Sequence, residues 1–193
     1  MLAAEAEIKA GEIIVFLQDE CHLLWGDIIG YLWGRRGVAL EIPIINQKER
    51  QTYYGAVNLL TGEFHLKESV TGDGENTVGF VKWLQSKHPN KPIWIIWDGA
   101  KHHRYGKMQE YLAEQNEGLA QEDWKITCLW FAPNAPEQNP VEDIWLKGKN
   151  AVRRAFNENP TFAKVKECFT TNLQEVKLSV EKLAWYWTSP QII

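Results

Sequence analysis

The stretch Ile13-Ile14-Val15-Phe16-Leu17-Gln18-Asp19-Glu20 decides the fold class, because five consecutive apolar residues run straight into an acidic pair. A second stretch repeats the pattern: Ile93-Trp94-Ile95-Ile96-Trp97, then Asp98-Gly99. Apolar runs without polar alternation suit strands covered on both faces, as in the parallel centre of an α/β sheet. Between them the texture changes. Tyr53 to Leu60, the turn Thr61-Gly62 and Glu63 to Val70 predict a β-hairpin, with Phe64, Leu66 and Val70 alternating with polar residues. Val78, Val81 and Leu84 then recur at helical spacing until His88-Pro89.

Beyond Asp98 the pattern gives a polar segment from Gly99 to Gly106, a helix to about Gln115, a loop over Asn116 to Asp123 and a strand from Ile126 to Phe131. A proline-rich connection, Pro133 to Pro140, leads to a helix opening at Asn139-Pro140, with Asn as N-cap and proline at the first helical position. Ile144, Trp145, Gly148 and Val152 form its inner stripe. Asn159-Pro160 predicts one further long amphipathic helix, whose apolar residues Phe162, Val165, Phe169, Leu173, Val176, Val180 and Leu183 step by three or four. The expectation is a single α/β domain over residues 1–193 with a mixed sheet.

The composition narrows the function classes. Of 193 residues 45% are hydrophobic and 24% charged, an ordinary globular balance. Formal net charge is −4, whereas proteins that hold DNA unaided are usually basic, so any DNA contact is expected to be local or shared with another segment. Ten tryptophans suit packing. The three cysteines, Cys21, Cys128 and Cys168, are far apart and include no CxxC, which argues against a disulfide framework or structural zinc. Met1 to Gly11 is acidic and alanine-rich, unlike a signal peptide, and no apolar run approaches the roughly 20 residues that span a bilayer. A cytoplasmic protein without membrane contact is expected.

Ligands and catalysts in open α/β sheets gather beyond the carboxyl ends of central strands, where Asp19 and Asp98 are expected. If their strands are parallel neighbours the carboxylates converge, and two of them about 4 Å apart repel by roughly 4 kcal/mol at an effective dielectric of 20. Such a pair shares a proton or binds a cation, and hard carboxylate oxygens suit Mg²⁺ or Mn²⁺. Each aspartate can equally cap the turn that follows it. Glu142 stands three residues after Asn139, so it fits a capping box as well as a third ligand, and Glu137 and Asp143 are alternatives for that place.

Three blocks together resemble the DDE transposases of the mariner-like superfamily, in particular their bacterial insertion-sequence branch. They are FLQDECHL (Phe16–Leu23), IIWDGAKHH (Ile95–His103) and APNAPEQNPVEDIWLKGKN (Ala132–Asn150), the last being the most specific. The hairpin YYGAVNLLTGEF (Tyr53–Phe64) also fits. The resemblance implies an RNase H-like fold in which Asp19, Asp98 and Glu142 form the catalytic, metal-binding triad, with two Mg²⁺ or Mn²⁺ per active site. It implies cleavage and transfer of DNA strands at transposon ends, with transposon and target DNA as partners and a homodimer as the active form. That superfamily normally reads its ends through N-terminal helix-turn-helix modules. No such module is expected within residues 1–193, so the resemblance implies a separate or missing helix-turn-helix segment. Arg35 and Arg36, in Gly34-Arg35-Arg36-Gly37, and Lys147 and Lys149, beyond Glu142, are expected to meet DNA phosphates, though a solvated turn and a helix end also accommodate them. His102 and His103 are candidate auxiliaries beside the second aspartate. The rival expectations are an RNase H-like nuclease that joins no strands, and a remnant acting as a binding or oligomerisation module.

Overall fold

The computed structural model describes residues 4–25, 34–38, 48–100, 103, 106–132, 138–155, 158–174, 176–179 and 183. A short helix α1 (Glu5–Lys9) precedes β1 (Ile14–Leu24), β2 (Arg50–Asn58) and β3 (Phe64–Ser69). Then follow α2 (Gly74–Lys87), β4 (Ile93–Trp97), α3 (Lys107–Gln115), β5 (Ile126–Trp130), α4 (Val141–Arg154) and α5 (Phe162–Leu173). The strands form one sheet in the order β3-β2-β1-β4-β5. β1 pairs antiparallel with β2 and parallel with β4, and β4 is parallel to β5. The expected mixed sheet is therefore present, with both apolar runs at its parallel centre.

Strand alternation sends the side chains of β1 into two separate cores. Val15, Leu17, Cys21 and Leu23 join Tyr53, Val57, Trp145, Phe169 and Leu173 on the face covered by α4 and α5. Ile14 and Phe16 join Tyr54, Phe80, Leu84, Ile95, Trp97 and Met108 on the face covered by α2 and α3. The sheet is thus buried on both sides, which is why its central strands read as unbroken apolar runs.

Three expectations need correction. β1 does not stop at Gln18. It continues to Leu24 because β2 pairs with it from Phe16 to Leu24, supplying backbone partners where β4 has already ended. Asp19 therefore lies within its strand, while Asp98 falls just past the end of β4. The final helix does not run to Leu183 but ends at Leu173. Beyond it the backbone turns extended and pairs with the hairpin: Phe64 N donates to Val176 O (3.3 Å) and Leu178 N to Gly62 O (2.9 Å). Val176 is buried from this extended segment, so the apolar pattern outlasts the helix. Gly62 has φ +72°, and a Cβ there would sit 2.2 Å from Leu178 O, so glycine is what allows this approach. Finally, α5 is capped by Thr161, whose side chain accepts from Lys164 N, rather than by Asn159.

Candidate active site

The register of β1 and β4 pairs Phe16 with Ile95 and Leu17 with Ile96. Past the last paired positions, Asp19 continues β1 while Asp98 follows directly on the end of β4. The backbone alternation then separates Asp19 from Glu20. Asp19 points to the α4 face, where Trp145 Nε1 donates to its Oδ2 at 3.0 Å. Glu20 points to the other face, where its Oε1 meets His103 Nε2 at 3.0 Å and accepts from Gln18 Nε2 at 3.1 Å.

Helix α4 is fastened to β1 by Asn139. Its Nδ2 donates to Gln18 O (3.2 Å), and its Oδ1 accepts from Val141 N (3.2 Å), satisfying one of the open donors of the helix start. The helix begins one residue later than expected, with Pro140 rather than Asn139 in the cap position. Glu142 N bonds Asn139 O (3.1 Å). The Glu142 side chain forms no capping box among the described residues; it is exposed, and its charge acts on Asp19. The start of α4 and the centre of β1 are thus tied together, with Glu142 on the first turn of that helix.

Burial, then the charges of Glu20 and Glu142, raise the Asp19 carboxyl from 3.8 to about 7, with the Trp145 bond opposing them. Asp98 behaves oppositely. His103 Nδ1 lies 2.9 Å from its Oδ1, and Ala100 N donates to the same oxygen at 3.0 Å. The His103 hydrogen bond, foremost among these contacts, holds the Asp98 carboxyl below its ordinary range. His103 itself is 1% exposed and stacks flat on Trp97, with ring centroids 4.3 Å apart and planes 1° apart. Burial works against its charge, but hydrogen bonds to Asp98 and Glu20 prevail and lift it to about 9. With a carboxylate at each ring nitrogen, both nitrogens act as donors, so His103 is an imidazolium bridging the two acids.

Of the expected triad, Glu142 acts on Asp19 through its charge, and Asp98 follows the end of the neighbouring strand with its carboxylate turned to His103. Among the described residues no three His, Cys, Asp or Glu side chains are grouped closely enough to hold a metal ion in this arrangement. Arg35 and Arg36 are exposed in a turn closed by Val38 N to Arg35 O (3.1 Å). Lys147 is exposed on α4 and Lys149 half-buried. His102 and Glu137 lie outside the described residues, and Asp143 is exposed on the first turn of α4.

Three contributors escaped the sequence reading. In the sequence Glu20 stands out only as the neighbour of Asp19; strand alternation is the signal that it serves the opposite face. Trp145 reads in the sequence as part of the inner stripe, and nothing local marks its N–H as a partner of Asp19. Gly55 stands opposite Asp19 in the register, and a Cβ there would lie 2.6 Å from the Trp145 ring.

The family described as DDE superfamily endonuclease matches residues 14–165. No curated protein sequence matches the chain. The fold is shared with the simian T-cell lymphotropic virus intasome in complex with PP2A regulatory subunit B56 gamma, at 12% identity and TM-score 0.56, over 93% of this chain and 55% of that one. It is shared with the HTLV-2 integrase catalytic core domain in complex with magnesium (trimeric form), at 12% identity and TM-score 0.52, over 82% and 81%. The Mos1 transposase paired-end complex with left transposon end matches at 13% identity and TM-score 0.56, over 91% and 50%. At such identities the likeness is one of architecture, and the architecture is RNase H-like. This chain spans about half the length of the intasome and Mos1 chains it matches.

Proposed function

The chain belongs to the DDE superfamily endonuclease family, and on that premise we propose that it is the catalytic domain of a transposase, cutting DNA at transposon ends and joining the cut strands to a target. The observation that supports this reading is that Asp19 lies on β1 and Asp98 follows the end of the parallel neighbour β4, with α4 tied to β1 so that the charge of Glu142 acts on Asp19. We assign Asp19, Asp98 and Glu142 as the catalytic acids.

The donor set suits a divalent cation. All three groups are carboxylates, the hard ligands that Mg²⁺ and Mn²⁺ prefer. Burial and neighbouring anionic charge raise the Asp19 carboxyl to about 7, the mark of a buried acid short of positive charge. Two ions held by these acids would supply Lewis acidity and an activated water or 3′-hydroxyl at the scissile phosphate. The protein's own part is to position the ligands: Trp145 on Asp19 from one face of the sheet, His103 on Asp98 from the other, and Asn139 at the start of the helix that carries Glu142. Asp98 would complete the set from the end of β4, where His103 now engages its carboxylate.

Lys147, Lys149, Arg35 and Arg36 are the proposed contacts to DNA phosphates. With a net charge of −4 they need help from elsewhere, and we assign end recognition to a helix-turn-helix segment distinct from this domain. A homodimer would pair two ends, and the cytoplasm is the proposed setting.

The test is a nicking and strand-transfer assay on pre-cut ends with Mg²⁺ or Mn²⁺. Asp19→Ala, Asp98→Ala and Glu142→Ala are each expected to lower nicking at least about 100-fold. Full activity after Asp98→Ala would overturn the assignment. Nicking without joining would reassign the domain as a nuclease.

A further inference from the structure

Helix α4 brings two polar groups to β1: Glu142 and, three residues on and hence on the same helix face, Trp145. The Trp145 indole Nε1 donates to Asp19 Oδ2 at 3.0 Å, and its surroundings are shaped for that contact. Gly55 is the residue paired with Asp19 across β2. A Cβ there would lie 2.6 Å from both Cζ2 and Cη2 of Trp145, so only bare backbone lets the ring lie across the strand. Phe64 meets the ring edge-on at 5.4 Å, and Phe169 stacks on it at 6.2 Å and 14°. The ring is 4% exposed. Burial by itself does not dictate a partner in this fold, because the buried indole nitrogens of Trp25 and Trp97 have none among the described residues.

We propose that Trp145 is a positioning residue for Asp19: its N–H fixes Oδ2, and so sets how the carboxylate would face a divalent cation bound there. This rests on the reading of Asp19 as a metal-binding acid. The donor's chemistry supports the role. An indole N–H can hold a carboxylate oxygen while adding no net positive charge, whereas a Lys or Arg in its place would compete with the cation. Because Glu142 and Trp145 ride on one helix, a single placement of α4 sets both the second ligand and the orientation of the first.

The experiment uses the full chain with two replacements of Trp145. Trp145→Phe removes the N–H and part of the ring. Exchange of Trp145 for 3-benzothienyl-alanine keeps the bicyclic shape and puts sulfur where the N–H is. Mn²⁺ binding is measured by titration calorimetry, alongside melting in EDTA. The expected result for the benzothienyl protein is a melting temperature within about 4 °C of wild type and an Mn²⁺ dissociation constant raised about tenfold or more. Trp145→Phe is expected to weaken Mn²⁺ binding in the same direction. Should it also lose substantial stability, the benzothienyl protein decides. An Mn²⁺ affinity within about twofold of wild type in that protein, while Asp19→Ala loses the metal, overturns the role of Trp145 and leaves the active-site assignment standing. Wild-type Mn²⁺ binding and nicking in Asp19→Ala would overturn both.

Discussion

Asp19 is held where a carboxylate is least comfortable. Its folded-state pKa of about 7 stands above the ordinary 3.8, so the native state keeps its proton more tightly than the unfolded chain does. The stability this contributes is fully present below about pH 4 and is lost as pH rises through about 7. At pH 8 and without metal the ionised group is therefore a burden. Asp19→Asn should then raise stability in EDTA, by on the order of 1–3 kcal/mol at that pH, while abolishing the Mn²⁺-induced rise in melting temperature expected for wild type. Denaturation with and without Mn²⁺ checks both; an asparagine protein that is less stable in EDTA would contradict this account of the site. Gly55 makes the complementary prediction. Alanine there drives a methyl into the Trp145 ring, and should cost about 1–3 kcal/mol through overpacking and weaken Mn²⁺ binding with it. Unchanged melting and metal affinity would show that the ring moves aside without consequence.

Among the elements, α4 has the most to do, and its anchoring is concentrated in Asn139. Asn139→Ala removes both the bond to Gln18 O and the one from Val141 N. A loss of about 1–3 kcal/mol is expected from the groups left unpaired, with a fall in nicking larger than that of an equally destabilised variant in the α2/α3 core. Equal falls would mean that the tie does no more than stabilise. Asn139 also illustrates what the sequence can and cannot disclose. Asn-Pro before an amphipathic stripe announced a helix start, and the two apolar runs announced a central parallel pair, because those signals are local and periodic. The partner of Asn139, Gln18, is remote in sequence, and no periodicity encodes it. The same holds for Glu20 with His103 and for Trp145 with Asp19. The overlong final helix had a different cause: Val176 kept the apolar rhythm from an extended segment, where a hydrogen bond to Gly62 O outweighed continuation of the helix.

For the whole molecule the sheet divides two cores, and the α2/α3 core carries its own response to acid. His65 is buried among the rings of Phe16, Trp83 and His88. Burial lowers its pKa below 6.5, with Lys87 and His88 adding to the effect and Glu63 opposing it, and His88 is lowered chiefly by burial too. A base depressed in this way contributes stability above about pH 6.5 that is lost as the pH falls toward its folded value. His65→Leu should therefore lose less stability between pH 7.5 and pH 5 than wild type, by on the order of 1 kcal/mol; parallel pH profiles in urea melts would refute it. The division has a further consequence for the acids themselves. One aspartate is steadied by an indole rooted in the first layer, the other by an imidazolium lying on a tryptophan of the second. Repacking either layer can therefore tilt one ligand while its neighbour stays put, so spacing and aim are adjustable one side at a time, with β1 as the common hinge-pin.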